Sequence, residues 1–271
     1  MPELPEVETI VRGLAEDLPG ATIRAVEVLR PDLIEDESAE SFADALTGRK
    51  IHSVARRAKN IAIDLGGERL VVNLGMTGRL MVAKKGDEEL THLGVRFALD
   101  GGRELRYHDA RRFGRLWRMT DDAWRAWDGE LGVEPLSDAF TAAWLHEAAG
   151  RSKVAVKSWL MDQKRVVGVG NIYASEGLFR AKVDPRKPAN QLTKREAARV
   201  RDGVREVLAE AIEHRGTTFL DYRDARGEPG EFVRRLRVYD REGEPCTVCG
   251  RPVQRIAQGG RSTFFCAKCQ R

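Results

Sequence analysis

Long apolar runs are missing from this chain: nowhere do 18 apolar residues follow one another, the length a bilayer-crossing helix needs. No basic-then-apolar leader precedes the first helical pattern, so neither a membrane span nor a secretory signal is expected. Cysteine is scarce, with four in 271 residues, all of them after position 245. A disulfide-stapled secreted domain spreads its cysteines differently, and the expected compartment is the cytoplasm, where disulfides rarely persist. Internal repeats and low-complexity tracts are also absent, so nothing points to a repeat architecture.

What is present is enough chain to bury a substantial core in two domains. The net charge is only +4, but it is segregated: residues 1–150 carry 20 Lys and Arg against 27 Asp and Glu, whereas residues 151–271 carry 26 against 15. A basic second half suits a polyanionic partner, although a solvated basic surface has the same composition.

Leu4, Val7, Val11 and Leu14 recur at helical spacing, so a helix starts almost at the amino terminus and stops at Pro19-Gly20. Short period-two segments follow: Ile23 to Val28, Ile51 to Val54, Ile61 to Leu65, Leu70 to Leu74, Val95 to Leu99, Leu105-Arg106-Tyr107 and Leu116 to Met119. Strands this short and numerous, punctuated by glycine, predict an antiparallel sandwich with one helix near Ser41 to Leu46 inserted. Gly132, Pro135 and Ser137 mark a linker. Segments near 141–149, 153–162, 172–181 and 193–214 then have helical spacing, and Arg215 to Phe232 reads as a long loop. The expected fold class is α+β. Its expected parts are a β-sandwich over 1–133, a helical domain over 134–235 and a cysteine module over 236–271.

That module carries the most specific spacing. Cys246-x2-Cys249, sixteen residues, then Cys266-x2-Cys269 is a four-cysteine zinc pattern, each pair chelating from one knuckle. A closed four-thiolate site is structural, so one structural Zn2+ is expected. Gly259-Gly260 between two short strands reads as a hairpin turn with Arg261 beside it.

Three further stretches have chemistry in them. Removal of Met1 would leave Pro2 with a free α-amine, whose pKa near ~8 keeps far more of it neutral than a lysine near ~10.4. A neutral amine is a nucleophile, and the positive end of the first helix disfavours its protonation further. Glu3 and Glu6 lie three apart beside it; alone, these residues equally describe an ordinary helix start. In Val166-Val167-Gly168-Val169-Gly170-Asn171, glycines before an Asn that caps a new helix let backbone N–H groups face an anion. Finally, Met76 stands between Gly75 and Gly78, and Asp109-Ala110-Arg111-Arg112-Phe113-Gly114 sets an aromatic beside two cations. Apolar wedges with arginine are how proteins fill a gap in a base stack, although a core Met and Phe would look the same.

Met1-Pro2-Glu3-Leu4-Pro5-Glu6-Val7-Glu8 resembles the amino terminus of bacterial formamidopyrimidine-DNA glycosylases. The string from Met161 through Asn171 to Glu176 resembles that family's helix–two-turn–helix, and the cysteine module resembles its zinc finger. The resemblance implies a glycosylase with abasic-site lyase activity on double-stranded DNA containing oxidised purines. It also implies that Pro2 attacks the damaged nucleotide's sugar, that Glu3 and Glu6 handle protons, and that Lys59 lies near the lesion's phosphates. Met76, Arg111 and Phe113 fall on the family's void-filling residues, Asn171 on its phosphate-binding Asn, and Arg261 on its DNA-binding finger turn. His92 becomes a phosphate contact in less similar surroundings. Lys157 falls on a base-contacting lysine, followed here by Ser158 where the family usually has proline. The segment from Thr217 to Phe232 resembles the loop that closes over an extruded base. A monomer is expected. Two alternatives stay open: the sister endonuclease VIII enzymes for oxidised pyrimidines, which typically have Gly at the position of Leu4, and a silent DNA-binding paralogue.

Overall fold

In the computed structural model, residues 2–84, 86–88, 91–219 and 222–271 are described. The chain forms two compact units that are not sequential blocks. The first takes residues up to Gly129 together with His214–Glu231; the second takes Glu130–Glu213 together with Phe232–Arg271.

Helix α1 (Leu4–Asp17) opens the first unit, and its stripe of Leu4, Val7, Ile10, Val11 and Leu14 is buried. Fully burying each such side chain is worth roughly 1.5–3 kcal/mol before conformational entropy is subtracted. Strand β1 (Ile23–Val28), helix α2 (Ala39–Leu46) and strands β2 (Ser53–Arg57), β3 (Asn60–Asp64) and β4 (Glu68–Asn73) follow. They are succeeded by β5 (Arg79–Lys84), β6 (Leu93–Leu99), β7 (Arg103–His108) and β8 (Arg115–Thr120). The strands make two antiparallel four-stranded sheets, ordered β1-β6-β7-β5 and β2-β3-β4-β8. Ile61, Ile63, Leu70 and Val72 from one sheet share a core with Val95, Phe97, Leu105 and Tyr107 from the other, as the period-two pattern requires.

Helix α3 (Asp121–Gly129) has no counterpart among the sequence expectations: it is short, and its apolar face of Ala123, Trp124 and Trp127 is only partly covered, with no residue fully buried. Trp124 and Trp127 pack on each other at 5.0 Å instead, and Arg69 lies over the Trp124 ring. The segment expected as a loop is held to the same unit. Ala225 joins the core against α1, Arg226 pairs with Glu16, and Thr217 bridges Glu231.

The second unit holds α4 (Ala142–Ala149), α5 (Val156–Leu160), α6 (Asn171–Ala181) and α7 (Lys194–Glu213), with a hairpin of β9 (Gln254–Gln258) and β10 (Arg261–Phe265). Helix α6 is buried almost throughout. The finger shares its core, because Phe179, Val238, Val253 and Phe264 cluster with Cys246 and Cys266. Among the described residues no helix is long and apolar enough to cross a membrane.

Candidate active site and nucleic-acid interface

At the start of α1, Pro2 is buried, as are Glu3 at 3% exposure and Glu6 at 1%. The Glu3 backbone N–H donates to Glu6 Oε2 at 2.8 Å, so the capping glutamate is held by the helix it starts. The other oxygen of Glu6 reaches across the sequence: Thr217 N–H donates to Oε1 at 2.7 Å. Gly216 makes this approach possible, since it sits at φ +78° and a Cβ there would lie 2.7 Å from Glu6 Oε1. The Tyr222 hydroxyl donates to the Glu6 carbonyl at 3.2 Å. Burial, and then the charge of Glu6, push that phenol well above its ordinary pKa, so it remains a donor. Thr217 and Tyr222 lie in the segment expected to close over an extruded base, but their contacts with Glu6, and the part Gly216 plays in them, are what sequence reasoning misses; the signal available is the Gly-Thr-Thr turn after a long helix.

Lys59 occupies the two-residue turn between β2 and β3 with Ala58, which takes φ +55°. The hairpin is tied to α1 by Arg56, whose Nε meets Glu8 Oε2 at 3.0 Å and whose Nη1 donates to the Ala58 carbonyl at 2.9 Å. Lys59 is half-buried, so the turn, and not a free tether, sets its position.

Two loops are joined by one carboxylate. Asp109, 3% exposed, accepts from Thr77 Oγ1 at 2.5 Å and from the N–H groups of Arg111 at 3.2 Å and Gly114 at 2.8 Å. Arg111 N–H also donates to Thr77 Oγ1 at 3.1 Å. Gly75 packs so closely on this loop that a Cβ would lie 2.5 Å from the Phe113 backbone. The result brings Met76 and Phe113, 40% and 55% exposed, together with Arg111, whose guanidinium lies 4.8 Å from the Phe113 ring. Large apolar side chains left in water beside a cation are unusual unless they have a partner to meet. Asp109 escapes the sequence reading, although an Asp ahead of a turn is an ordinary acceptor for the N–H groups that follow. His92 joins the same cluster: it is exposed at φ +64°, and its carbonyl accepts from Asp109 N–H at 3.0 Å. With Arg30 and Arg112 it lines a cavity of about 300 Å³.

In the second unit, Gly170 is the N-cap of α6 and Asn171 the first helical residue, so Asn171 is not the cap expected of it. Gly170 has no side chain to cap with, which leaves the Asn171 amide available elsewhere. Its Oδ1 accepts from Lys157 Nζ at 2.5 Å, and its Nδ2 is 3.5 Å from the Tyr239 hydroxyl. Lys157 is 2% exposed and donates as well to the Ser262 carbonyl at 3.0 Å and Thr263 Oγ1 at 2.8 Å. A lysine expected at a base is therefore inside the unit, bonded to the finger. Glu176, fully buried, accepts from the N–H groups of Arg237, Val238 and Tyr239 at 2.8–3.0 Å. Burial pushes its pKa up while these donors pull against it.

Gly259 and Gly260 both take positive φ and close the two-residue turn that leaves Arg261 exposed. The four Sγ atoms of Cys246, Cys249, Cys266 and Cys269 lie within 4.8 Å of one another, with the nearest pairs at 3.5 and 3.9 Å. Four sulfurs at ~2.3 Å from one tetrahedral ion stand about 3.8 Å apart, so the cluster fits zinc and leaves no ligand position open.

A sandwich with buried acids at its amino terminus, a helix–two-turn–helix and a four-cysteine finger define a class: the DNA glycosylases of base excision repair that carry a zinc-finger fold. Three family models narrow it. The formamidopyrimidine-DNA glycosylase N-terminal domain matches residues 1–116, the formamidopyrimidine-DNA glycosylase H2TH domain 131–222, and the zinc finger found in FPG and IleRS 243–271. The chain belongs to the formamidopyrimidine-DNA glycosylase family. It is 47% identical over 274 residues to the formamidopyrimidine-DNA glycosylase of Laribacter hongkongensis, with all of both chains covered. It matches the crystal structure of the MutM (Fpg) protein from Thermus thermophilus with a TM-score of 0.88 at 43% identity, over 99% of this chain and 98% of that one. A Lactococcus lactis Fpg variant in complex with Fapy-dG-containing DNA matches at 0.93 and 32% identity over the whole of both chains.

Proposed function

We propose that this enzyme is a bifunctional glycosylase and abasic-site lyase that excises oxidised purines, 8-oxoguanine and formamidopyrimidines, from duplex DNA and then cuts the strand. The observation that carries the reading is the burial of Pro2, Glu3 and Glu6 together at the positive end of α1, with Glu6 hydrogen-bonded to the segment after His214. Buried acids beside an α-amine, which is by nature less basic than a lysine, are the parts that imine chemistry needs. The complex of the Lactococcus lactis relative with Fapy-dG DNA supports the substrate class.

With Met1 removed, the Pro2 nitrogen attacks C1′ of the flipped nucleotide. The C1′–N bond breaks, and the base leaves with that electron pair and takes up the proton that the Pro2 nitrogen gives up. Glu3 protonates the sugar ring oxygen as the ring opens, giving a cationic iminium between Pro2 and C1′. That cation is an electron sink, so loss of a proton from C2′ expels the 3′-phosphate, and a second elimination expels the 5′-phosphate. Glu6 shapes the pocket and relays protons. Lys59 and His92 neutralise phosphates near the lesion, and Asn171 and Arg261 hold the backbone. Met76, Arg111 and Phe113 fill the stack that the flipped nucleotide leaves. One zinc on the four cysteines would supply structure and no chemistry, and the enzyme works as a monomer in the cytoplasm.

Borohydride reduction tests the nucleophile. It should trap a covalent enzyme–DNA adduct whose mass maps to the amino-terminal peptide. A residue retained ahead of Pro2 should abolish trapping and spare DNA binding, because an amide nitrogen has no lone pair to give. Trapping at the normal rate by the blocked protein would make a lysine the nucleophile. Glu3→Gln should suppress excision of 8-oxoguanine more than cleavage at a preformed abasic site. Stronger incision of thymine glycol than of 8-oxoguanine would favour the pyrimidine-specific alternative.

A further inference from the structure

We propose that Lys157 is a positioning residue, not a base contact: it sets the polarity of the Asn171 amide and couples that amide to the zinc hairpin. The inference rests on the reading of Asn171 as a phosphate contact.

An ammonium has three N–H bonds, and that of Lys157 has three oxygen acceptors on three separate groups: Asn171 Oδ1 at 2.5 Å, Ser262 O at 3.0 Å and Thr263 Oγ1 at 2.8 Å. Reaching a base would require a side chain 2% exposed to abandon them, leaving buried acceptors unsatisfied. The geometry also determines what Asn171 can offer. An amide presents a carbonyl on one side and two N–H donors on the other. With Oδ1 held by a cation, Nδ2 must face away from Lys157, and it lies 3.5 Å from the Tyr239 hydroxyl. Only that orientation gives a phosphate N–H donors. Rotated by half a turn, the same side chain would present an oxygen to an anion.

The other two acceptors connect this choice to the metal module. Ser262 and Thr263 follow Arg261 on β10, and Cys266 closes the same run one residue after that strand. Thr263 is fully buried and donates onward to Gln258 Oε1 at 3.2 Å across the hairpin. The register of the hairpin therefore decides where two of the ammonium's acceptors stand, and the ammonium decides which end of Asn171 faces outward. Arg261 and Asn171, 90 positions apart in the chain, would be set by one buried charge.

A double-mutant cycle on the full-length zinc-loaded protein tests this, using a duplex with a tetrahydrofuran abasic-site analogue and a second duplex with 8-oxoguanine. Lys157→Met and Asn171→Ala should each weaken binding about tenfold, the scale of a hydrogen bond to a charged group. The double variant should be no weaker than the worse single one. Loss should be equal on both duplexes, and one zinc per chain should remain. A base-contacting lysine would lose nothing on abasic DNA, so loss confined to the 8-oxoguanine duplex overturns the proposal, as do strictly additive losses. If Lys157→Met does not fold, Thr263→Val removes a single acceptor and should weaken binding in the same direction; wild-type affinity in that variant counts against the coupling. Normal binding by Asn171→Ala would instead overturn the phosphate reading on which the inference stands.

Discussion

Three side chains at the tips of two loops point outward only because one that points inward holds the loops. Asp109 accepts from Thr77, Arg111 and Gly114, so Met76, Arg111 and Phe113 are fixed without burying their own apolar surface. Preorganisation of this kind lets a wedge enter a base stack without a second entropy cost for loop ordering. The three should separate by variant. Arg111 can donate to the acceptor edge of cytosine, so Arg111→Ala should weaken discrimination against adenine opposite 8-oxoguanine, by about tenfold or more. Phe113→Ala should slow excision about tenfold whatever the opposing base, because stacking is sequence-tolerant. Single-turnover excision rates against each of the four opposing bases check both, and equal losses in the Arg111 variant would remove its assignment. Asp109→Ala should combine the two phenotypes, since it releases both loops.

Between elements, the contact of α6 with α7 depends on charge as well as packing. Glu210 on α7 pairs with Arg180 on α6 and also with Arg235. Burial raises the pKa of its carboxyl, but the ion pairs outweigh burial and hold it below the ordinary carboxylate value. A depressed folded pKa stabilises the fold above the unfolded value of about 4.3, and that contribution disappears as pH falls through the folded one. Glu210→Gln should therefore lower the melting temperature at pH 7, with the gap to wild type closing below about pH 4. Thermal melts across that range decide it; a gap that does not change with pH would show that the pair acts through packing alone. The carboxylate is partly exposed, so the effect should be small and should shrink with salt.

For the whole molecule, metal removal is the informative perturbation. The finger has little core of its own and borrows Phe179 of α6, while Glu176 of the same helix captures the backbone from Arg237 to Tyr239. Without metal the hairpin loses the tie between its knuckles, and with it the position of Arg261. Elemental analysis should find one zinc per chain, and Cys249→Ser or chelation should abolish tight DNA binding while the sandwich unit stays folded. A metal-free protein that binds and cuts DNA normally would rule this out.

Local patterns were enough for the parts. The apolar stripe of α1, the period-two strands, the cysteine spacing and the Gly259-Gly260 turn are all properties of a few neighbouring residues, and each is present in the fold. The family resemblance, carried by motifs equally short, added the expected chemistry. Tertiary structure alone decided which distant groups meet. Glu6 takes a hydrogen bond from Thr217, 211 residues away, and Lys157 bonds Thr263, 106 residues away. Helix α3 lay outside sequence reasoning because it is only nine residues long and its tryptophan face is half covered, and the burial of Lys157 did because a lysine is by default at the surface. The reason is the same in each case. Periodicity records how a segment divides its surface between core and water, but the partner of a buried polar group is chosen by packing, and packing is long-range.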